Sequence, residues 1–230
     1  MLKHLLPAGV AVSTSRGDIP PASPFPEEEA LVRDAVEKRR SEFATARTCA
    51  RRALAELGIA PRAILRGADG APLWPPGVIG SITHCDGYRA CAVAWASDLL
   101  AIGIDAEPNE PLPSGLIGDI ALARELVWLE RLRWERPEVQ WDRLLFCMKE
   151  AIYKAWAPRG GRDLGFDDAT VEVGASNGTF SARLRRRDAD DPTEAVTVLR
   201  GRWAVSGGIA MAAVAVSHPP RMVFGGSRRC

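Results

Sequence analysis

The chain has 230 residues, of which 47% are apolar and 26% charged, as in a globular protein with one large domain or two small lobes. Its formal net charge is +1, so no overall positive field attracts nucleic acid or an anionic membrane surface, and we expect neither as a partner. The five cysteines form no C-x-x-C pair and only three histidines are present, so a zinc site is not expected.

The first residues, MLKHLLPAGV, lack the long apolar stretch and the small-residue cleavage site of a signal peptide. No run of the chain approaches the 18 apolar residues of a membrane span. We therefore expect a cytoplasmic protein with reduced thiols. Residues 1–26 contain five prolines and predict an irregular lead-in.

A long helix is predicted over residues 26–57, because a proline followed by three acids favours a helix start. On a helical wheel, Arg39 and Arg47 lie within about 50° of the centre of the apolar stripe. A buried arginine is costly without an anion, so these side chains either reach solvent along the edges of the stripe or meet an anionic ligand. Residues 38–66 carry eight Lys or Arg against two acids, an excess that suits a polyphosphate.

Three strands are predicted next, at 78–83, 88–96 and 101–105. The last of them leads into an acid, a spacer and a second acid, so Asp105 and Glu107 leave the same face about 6–7 Å apart. Two such carboxylates repel each other unless a cation lies between them, and Mg²⁺ is the natural candidate. The alternative is a strand that simply ends in the polar turn PNEP.

The first of these strands ends in GSITH, which supplies two hydroxyls and an imidazole. Ser81, Thr83 and His84 are suitable hydrogen-bond donors to a phosphate. The alternative is that His84 is a satisfied structural residue.

A proline-rich break at 109–114 is the candidate boundary between an N-terminal lobe, 1–110, and a C-terminal lobe, 111–230. Two helices are predicted after this break, at 122–134 and 137–156. Four strands are predicted to follow them, at 169–173, 179–184, 196–205 and 209–217.

The second of these helices contains LLFCMKEAIYKAW. Glu150 and Lys154 are four residues apart on its polar side, with Lys149 at the flank. They form either a surface ion pair or, if that side faces a cleft, a third carboxylate or base with two lysines beside a phosphate.

Taken in order, GSITHCDGY, IGIDAEP and FCMKEAIYKAW resemble the 4'-phosphopantetheinyl transferases. The similarity is greatest to the single-chain, two-lobed branch that serves polyketide, nonribosomal peptide and siderophore synthases. The resemblance implies an α+β (α/β) fold of two similar lobes, each a small, mostly antiparallel sheet packed by helices, related by pseudo-two-fold symmetry. It also implies transfer of the 4'-phosphopantetheine arm of coenzyme A to a serine of an apo acyl or peptidyl carrier protein, with release of adenosine 3',5'-bisphosphate.

The resemblance further implies a role for each site residue. Asp105, Glu107 and Glu150 match the ligands of Mg²⁺, for which Mn²⁺ is the alternative ion. The group around the 3'-phosphate and adenosine comprises Arg39, Arg47, Arg66, Ser81, Thr83 and His84, whereas Lys149 and Lys154 match lysines near the pyrophosphate. We expect Asp105, Glu150 and Lys154 to be catalytic, with Glu150 as the base, and a monomer is expected.

Carrier proteins of such synthases are generally acidic, which predicts a basic docking surface with apolar contacts. The helix at 122–134 and the residues after it suit this role, although an ordinary amphipathic helix has the same pattern. Its relevant side chains are Arg124, Arg131, Arg133, Arg136, Leu126, Val127, Trp128, Leu129 and Leu132.

Two other functions are consistent with the residues. The first is a non-catalytic module that binds coenzyme A or a nucleotide. The second is a Mg²⁺-dependent phosphotransferase that uses a nucleoside triphosphate, and the absence of a G-x-x-x-x-G-K-[ST] motif argues against its common form.

Overall fold

The computed structural model describes residues 1–19, 25–68, 70–159, 164–185 and 196–219. Within them lie two antiparallel sheets of three and five strands, packed by helices, so the α+β class is confirmed. The helices are α1 (Pro26–Ala30), α2 (Glu37–Glu56), α3 (Ile117–Ile120), α4 (Ala123–Glu135) and α5 (Trp141–Trp156). The strands are β1 (Ala11–Arg16), β2 (Val78–Cys85), β3 (Tyr88–Trp95), β4 (Leu99–Pro108), β5 (Ala169–Gly174), β6 (Thr179–Arg185), β7 (Val196–Ser206) and β8 (Ile209–Ser217).

The first sheet has the order β1-β3-β2 and packs against α2. Strand β3 is central because nearly all its residues are apolar: alternate residues such as Cys91 and Val93 face Ala50 and Leu54 of the helix. Strand β1 was missed by the sequence analysis, which treated this segment as part of an irregular lead-in.

The prediction of one helix over residues 26–57 is wrong. The chain makes a short α1, turns over residues 31–36, and then begins α2 after Val36, whose backbone is extended and whose side chain is 74% exposed. No proline or glycine marks this break, so the apolar periodicity continued through it on the helical wheel.

The second sheet has the order β4-β8-β7-β6-β5 and packs against α5. Strand β4 follows β3 in the chain but pairs with β8, so the chain changes sheets before Leu99 rather than at residue 110. The division into lobes at 110 therefore does not follow the sheets. The pseudo-two-fold relation between the lobes stays a prediction.

Helix α5 lies directly on strand β4 at Gly103. A Cβ atom at this position would overlap the carbonyl oxygen of Ala151. Small residues on both elements thus allow the helix to approach the strand that carries Asp105 and Glu107.

The described cysteines, Cys49, Cys85, Cys91 and Cys147, are buried and free of disulfides. No helix in the described ranges is long and apolar enough to cross a membrane.

Candidate active site

A cavity of about 550 Å³ opens between the two sheets. One wall is formed by α2, β2 and the loop around Arg66, and the other by β4 and α5. Glu150 and Lys154 reach it from α5, which belongs to the C-terminal half of the chain. The cavity therefore brings together side chains from both halves of the chain.

The first wall is basic. Arg39, Arg47, Arg66 and His84 all line the cavity, and their role in binding an anion stays a prediction. Arg47 is only 5% exposed, and burial lowers the pKa of its guanidinium to about 10. Its Nε donates to the carbonyl of Ile64 at 2.8 Å, and no carboxylate of the described residues forms an ion pair with it. A buried cation in this state favours an anionic ligand.

His84 is held beside Arg39. The Arg39 Nη1 donates to His84 Nε2 at 2.5 Å, so that ring nitrogen carries no proton. Burial first, and then the charge of Arg39, lower the pKa of His84. Burial and Arg39 thus both favour the neutral imidazole.

Ser81 and Thr83 join the two sheets. Ser81 Oγ accepts a hydrogen bond from the backbone N–H of Ile104, and Thr83 Oγ1 accepts one from Ala106, each at 3.1 Å. Thr83 also donates its hydroxyl hydrogen to Asp105 Oδ1 at 3.0 Å. The expected role of Thr83 as a donor to a phosphate is therefore corrected, because a hydroxyl has a single hydrogen to donate.

Asp105 is 4% exposed, and its two carboxylate oxygens have different surroundings. Its Oδ1 accepts from Thr83 and from Lys154 Nζ, the latter at 2.6 Å. Its Oδ2 is buried and has no hydrogen-bond partner among the described residues. A buried carboxylate oxygen without a partner is costly unless a ligand satisfies it.

Glu107 faces a cation that the sequence analysis missed. Arg143 Nη1 lies 3.3 Å from Glu107 Oε2, and the same guanidinium donates to the carbonyls of Glu110 and Pro111. Burial and the neighbouring Asp105 raise the pKa of Glu107 to about 7, although Arg143 lowers it. Arg143 is two helical turns before Glu150, and this spacing on one helix face could have identified it.

Glu150 borders the cavity, and burial is the main cause that raises its pKa, with Lys154 lowering it and Asp105 raising it. Of the two alternatives for Glu150, the surface ion pair with Lys154 is not found among the described residues, since Lys154 pairs with Asp105. Burial has the largest single effect on the pKa of Lys154 and lowers it, but the ion pair with Asp105 and the nearby charges together raise it, so the net shift is upward.

The three predicted metal ligands lie in one electrostatic neighbourhood, because Asp105 and Glu150 both raise the pKa of Glu107. Within the part of the chain that the structure describes, no three His, Cys, Asp or Glu side chains converge as a metal centre. The donor set nevertheless suits a hard cation, because it consists of carboxylate oxygens, one of which is buried and has no hydrogen-bond partner in the described part of the chain.

Lys149 does not belong to this site, and its predicted position beside the pyrophosphate is wrong. Its Nζ lies 2.7 Å from Glu125 Oε2 and donates to the carbonyls of Ile120 and Phe166, each at 2.8 Å. The side chain is buried in the C-terminal half, where it joins α5 to the segments around it.

Helix α4 presents a smaller apolar surface than the sequence indicated. Leu129 and Leu132 are buried in the core, and the indole of Trp128 donates to the carbonyl of Val171. The apolar residues that stay outside are Val127 and Trp134, with exposed fractions of 71% and 90%, and Leu126 with 39%.

Two family models match consecutive parts of the chain. The 4'-phosphopantetheinyl transferase N-terminal domain matches residues 27–94, and the 4'-phosphopantetheinyl transferase superfamily matches residues 101–206. Their junction falls between β3 and β4, where the chain also passes from one sheet to the other.

The chain is similar along nearly its whole length to curated proteins. It is 46% identical to the 4'-phosphopantetheinyl transferase Svp of Streptomyces mobaraensis, covering 95% of this chain and 90% of the relative. It is 44% identical to Npt of Nocardia iowensis, covering 94% and 99%, and 41% identical to PptT of Mycobacterium tuberculosis, covering 93% and 97%. Both of these are 4'-phosphopantetheinyl transferases by name. The chain therefore belongs to the 4'-phosphopantetheinyl transferase superfamily.

Proposed function

We propose that this enzyme transfers the 4'-phosphopantetheine arm of coenzyme A to a serine hydroxyl of an apo acyl or peptidyl carrier protein. The second product is adenosine 3',5'-bisphosphate. One observation carries the proposal: a single cavity has a wall of arginines on one side and Glu150, with the Lys154–Asp105 pair, on the other. Such a cavity suits a ligand with several phosphates and a reacting centre near a carboxylate.

The basic wall would hold the 3'-phosphate end of coenzyme A. Arg39, Arg47 and Arg66 reach the cavity from three points, and His84 lies beside Arg39. The pyrophosphate would then lie toward Lys154, whose side chain is 28% exposed and lines the cavity. A lysine there offsets the charge that develops on the leaving bisphosphate.

The carboxylates would hold Mg²⁺, with Mn²⁺ as the alternative ion. Asp105 offers its unpartnered Oδ2, Glu150 lies at the cavity, and Glu107 would have to exchange its contact with Arg143 for the cation. When bound, the cation supplies Lewis-acid stabilisation of the pyrophosphate oxygens.

Glu150 is the proposed base. A serine hydroxyl is a weak nucleophile at neutral pH and needs a group that removes its proton. The serine oxygen bonds to the phosphorus that carries the pantetheine arm, the bond from that phosphorus to the oxygen of adenosine bisphosphate breaks, and the proton passes to Glu150. Burial raises the pKa of Glu150, which makes its carboxylate a better proton acceptor.

Incubation of the chain with apo carrier protein, coenzyme A and Mg²⁺, followed by intact-mass measurement of the carrier, tests this function. We expect a mass gain of one phosphopantetheine arm that is lost with EDTA. Binding of coenzyme A without a mass gain would favour a non-catalytic module, and hydrolysis of ATP would favour a triphosphate-dependent phosphotransferase.

The variant Glu150→Gln tests the base. We expect it to lose transfer while coenzyme A still binds, as measured by calorimetry, because the amide cannot accept the serine proton. Transfer at the wild-type rate would remove Glu150 from this role.

We further propose that the carrier docks on the outer face of α4. Arg124 and Arg131 are exposed there beside Val127 and Trp134, which gives the apolar centre and basic rim that an acidic partner needs. The similarity to relatives over most of the chain supports a carrier protein of a polyketide or nonribosomal peptide synthase as this partner.

A further inference from the structure

The two sheets meet without a shared hydrogen-bond ladder. Strand β2 belongs to the first sheet and β4 to the second, yet side-chain hydroxyls of β2 occupy backbone donors of β4. Ser81 and Thr83 are two residues apart on β2 and accept from Ile104 and Ala106, which are two residues apart on β4. The hydroxyls thus form two matched bridges between the sheets.

Only one of these bridges continues to a carboxylate. Thr83 Oγ1 accepts from Ala106 and donates to Asp105 Oδ1, whereas the hydroxyl of Ser81 has no contact with Asp105 among the described hydrogen bonds. Thr83 is 3% exposed, so water does not readily replace its hydroxyl. The orientation of the Thr83 hydroxyl is fixed, because its oxygen accepts from the N–H of Ala106 and its single hydrogen is donated to Asp105.

We propose that Thr83 is a positioning residue for Asp105, which fixes the oxygen that this carboxylate offers to a divalent cation. Thr83 and Lys154 both donate to Oδ1, at 3.0 and 2.6 Å, and together they satisfy that oxygen. The remaining oxygen, Oδ2, is buried without a partner among the described residues. The carboxylate is therefore held in one orientation, in which Oδ2 is the oxygen that these hydrogen bonds leave unoccupied.

This inference rests on the proposed function, since it requires a cation at Asp105. Groups that hold a metal ligand in place typically change metal affinity by about 10–100-fold when they are removed. A purely structural role for Thr83 would change the stability of the sheet junction and leave cation affinity alone. The two roles are therefore separable by experiment.

The test measures Mn²⁺ affinity by electron paramagnetic resonance, in the presence of saturating coenzyme A, together with urea unfolding. We expect Thr83→Val to weaken Mn²⁺ binding about 10–100-fold, because both hydrogen bonds are lost. Thr83→Ser keeps the hydroxyl and should restore Mn²⁺ affinity to within a few-fold of wild type. Thr83→Ala serves the same comparison if the valine variant does not fold.

Thr45→Val is the control, since it makes the same substitution at a fully buried hydroxyl that bonds to the backbone of Ile19 and does not line the cavity. We expect it to lower stability without a change in Mn²⁺ affinity. Wild-type Mn²⁺ affinity in Thr83→Val, or equal weakening in Thr45→Val, would overturn the positioning role and leave the proposed function intact. Absence of Mn²⁺ binding by the wild-type protein would overturn the proposed cation site and this inference together.

Discussion

Two lysines of α5 each form an ion pair with a carboxylate, and the two pairs lie in different surroundings. Lys149 uses its ammonium group on Glu125 and on two backbone carbonyls, and Glu125 in turn accepts from the N–H groups of Leu122 and Val171. Lys154 pairs with Asp105 at the edge of the cavity, and one oxygen of Asp105 has no partner among the described residues.

The ion pair of Lys149 stabilises the fold, whereas the ion pair of Lys154 lies at the candidate active site. Around Lys149 the described atoms satisfy every hydrogen of the ammonium group, so this pair holds α5 to the segments around it and has no capacity for a ligand. Around Lys154 the polar groups are incompletely satisfied beside a cavity, which is the condition for binding an anion or a cation. Lys149 and Lys154, five positions apart in one motif, thus have different roles.

The largest expected loss of stability follows from breaking the buried ion pair between Lys149 and Glu125. Lys149→Met leaves Glu125 and two carbonyls without their cation and should cost about 3–5 kcal/mol in the free energy of unfolding, measured with urea. Lys3→Met is the control, because its pair with Glu56 is exposed at 3.8 Å and should contribute less than about 1 kcal/mol. Equal losses in the two variants would contradict the structural role of Lys149.

Lys154→Met should lower the turnover rate more than it lowers the free energy of unfolding. Removal of one charged donor from a reacting phosphate typically costs about 100–1,000-fold in turnover, measured here with saturating coenzyme A and carrier. Its unfolding free energy should fall less than that of Lys149→Met, because the Lys154 side chain is 28% exposed and has one ion-pair partner, whereas the buried Lys149 has three polar contacts. A larger stability loss than in Lys149→Met, with turnover retained, would reverse the comparison.

Glu107, beside Asp105, should make the free energy of unfolding depend on pH. Its folded pKa of about 7 lies above its ordinary value of 4.5, so the folded state holds a proton that the unfolded state releases between these values. Stability from this group is therefore present below pH 4.5 and is lost as the pH rises through 7, by about 3 kcal/mol.

We expect Glu107→Gln to lack this loss, so that it is more stable than wild type at pH 8 in EDTA. Urea unfolding across pH 4–8 measures the difference, and Glu130→Gln on the exposed side of α4 is the control. Parallel curves for wild type and Glu107→Gln would show that Arg143 compensates the charge fully.

The smallest expected effect concerns the outer face of α4. Reversal of Arg124 and Arg131 to Glu should raise the KM for the carrier several-fold without a change in coenzyme A affinity, because charges at the rim of an interface mainly affect encounter. Arg133 is unsuitable for this test, since it pairs at 3.3 Å with the buried Asp142, whereas the pair of Arg131 with Glu135 at 3.5 Å is exposed on both sides. An unchanged KM would remove this face from the proposed interface.

The strands from Ala169 to Ser217 were predicted to within about two residues, because alternating apolar residues and glycine turns are local signals. Strand β1 lacked such a signal within a proline-rich segment. The break before α2 lacked one too, since the sequence there has neither proline nor glycine. The pairing of β4 with β8 joins segments about 100 residues apart, which no local pattern indicates.

The sequence by itself determined the acids, the arginines and the lysines that the chain can use, and its motifs indicated their family. Only the tertiary structure decided which of them share a cavity. Arg39, Arg47 and Lys154 line the same cavity, whereas Lys149 is buried in the core. Arg143 lies against Glu107. The physical reason is that helix periodicity fixes the direction of a side chain but not its partner. The partner depends on which strand or loop packs against that face, here through contacts between residues about 20–50 positions apart.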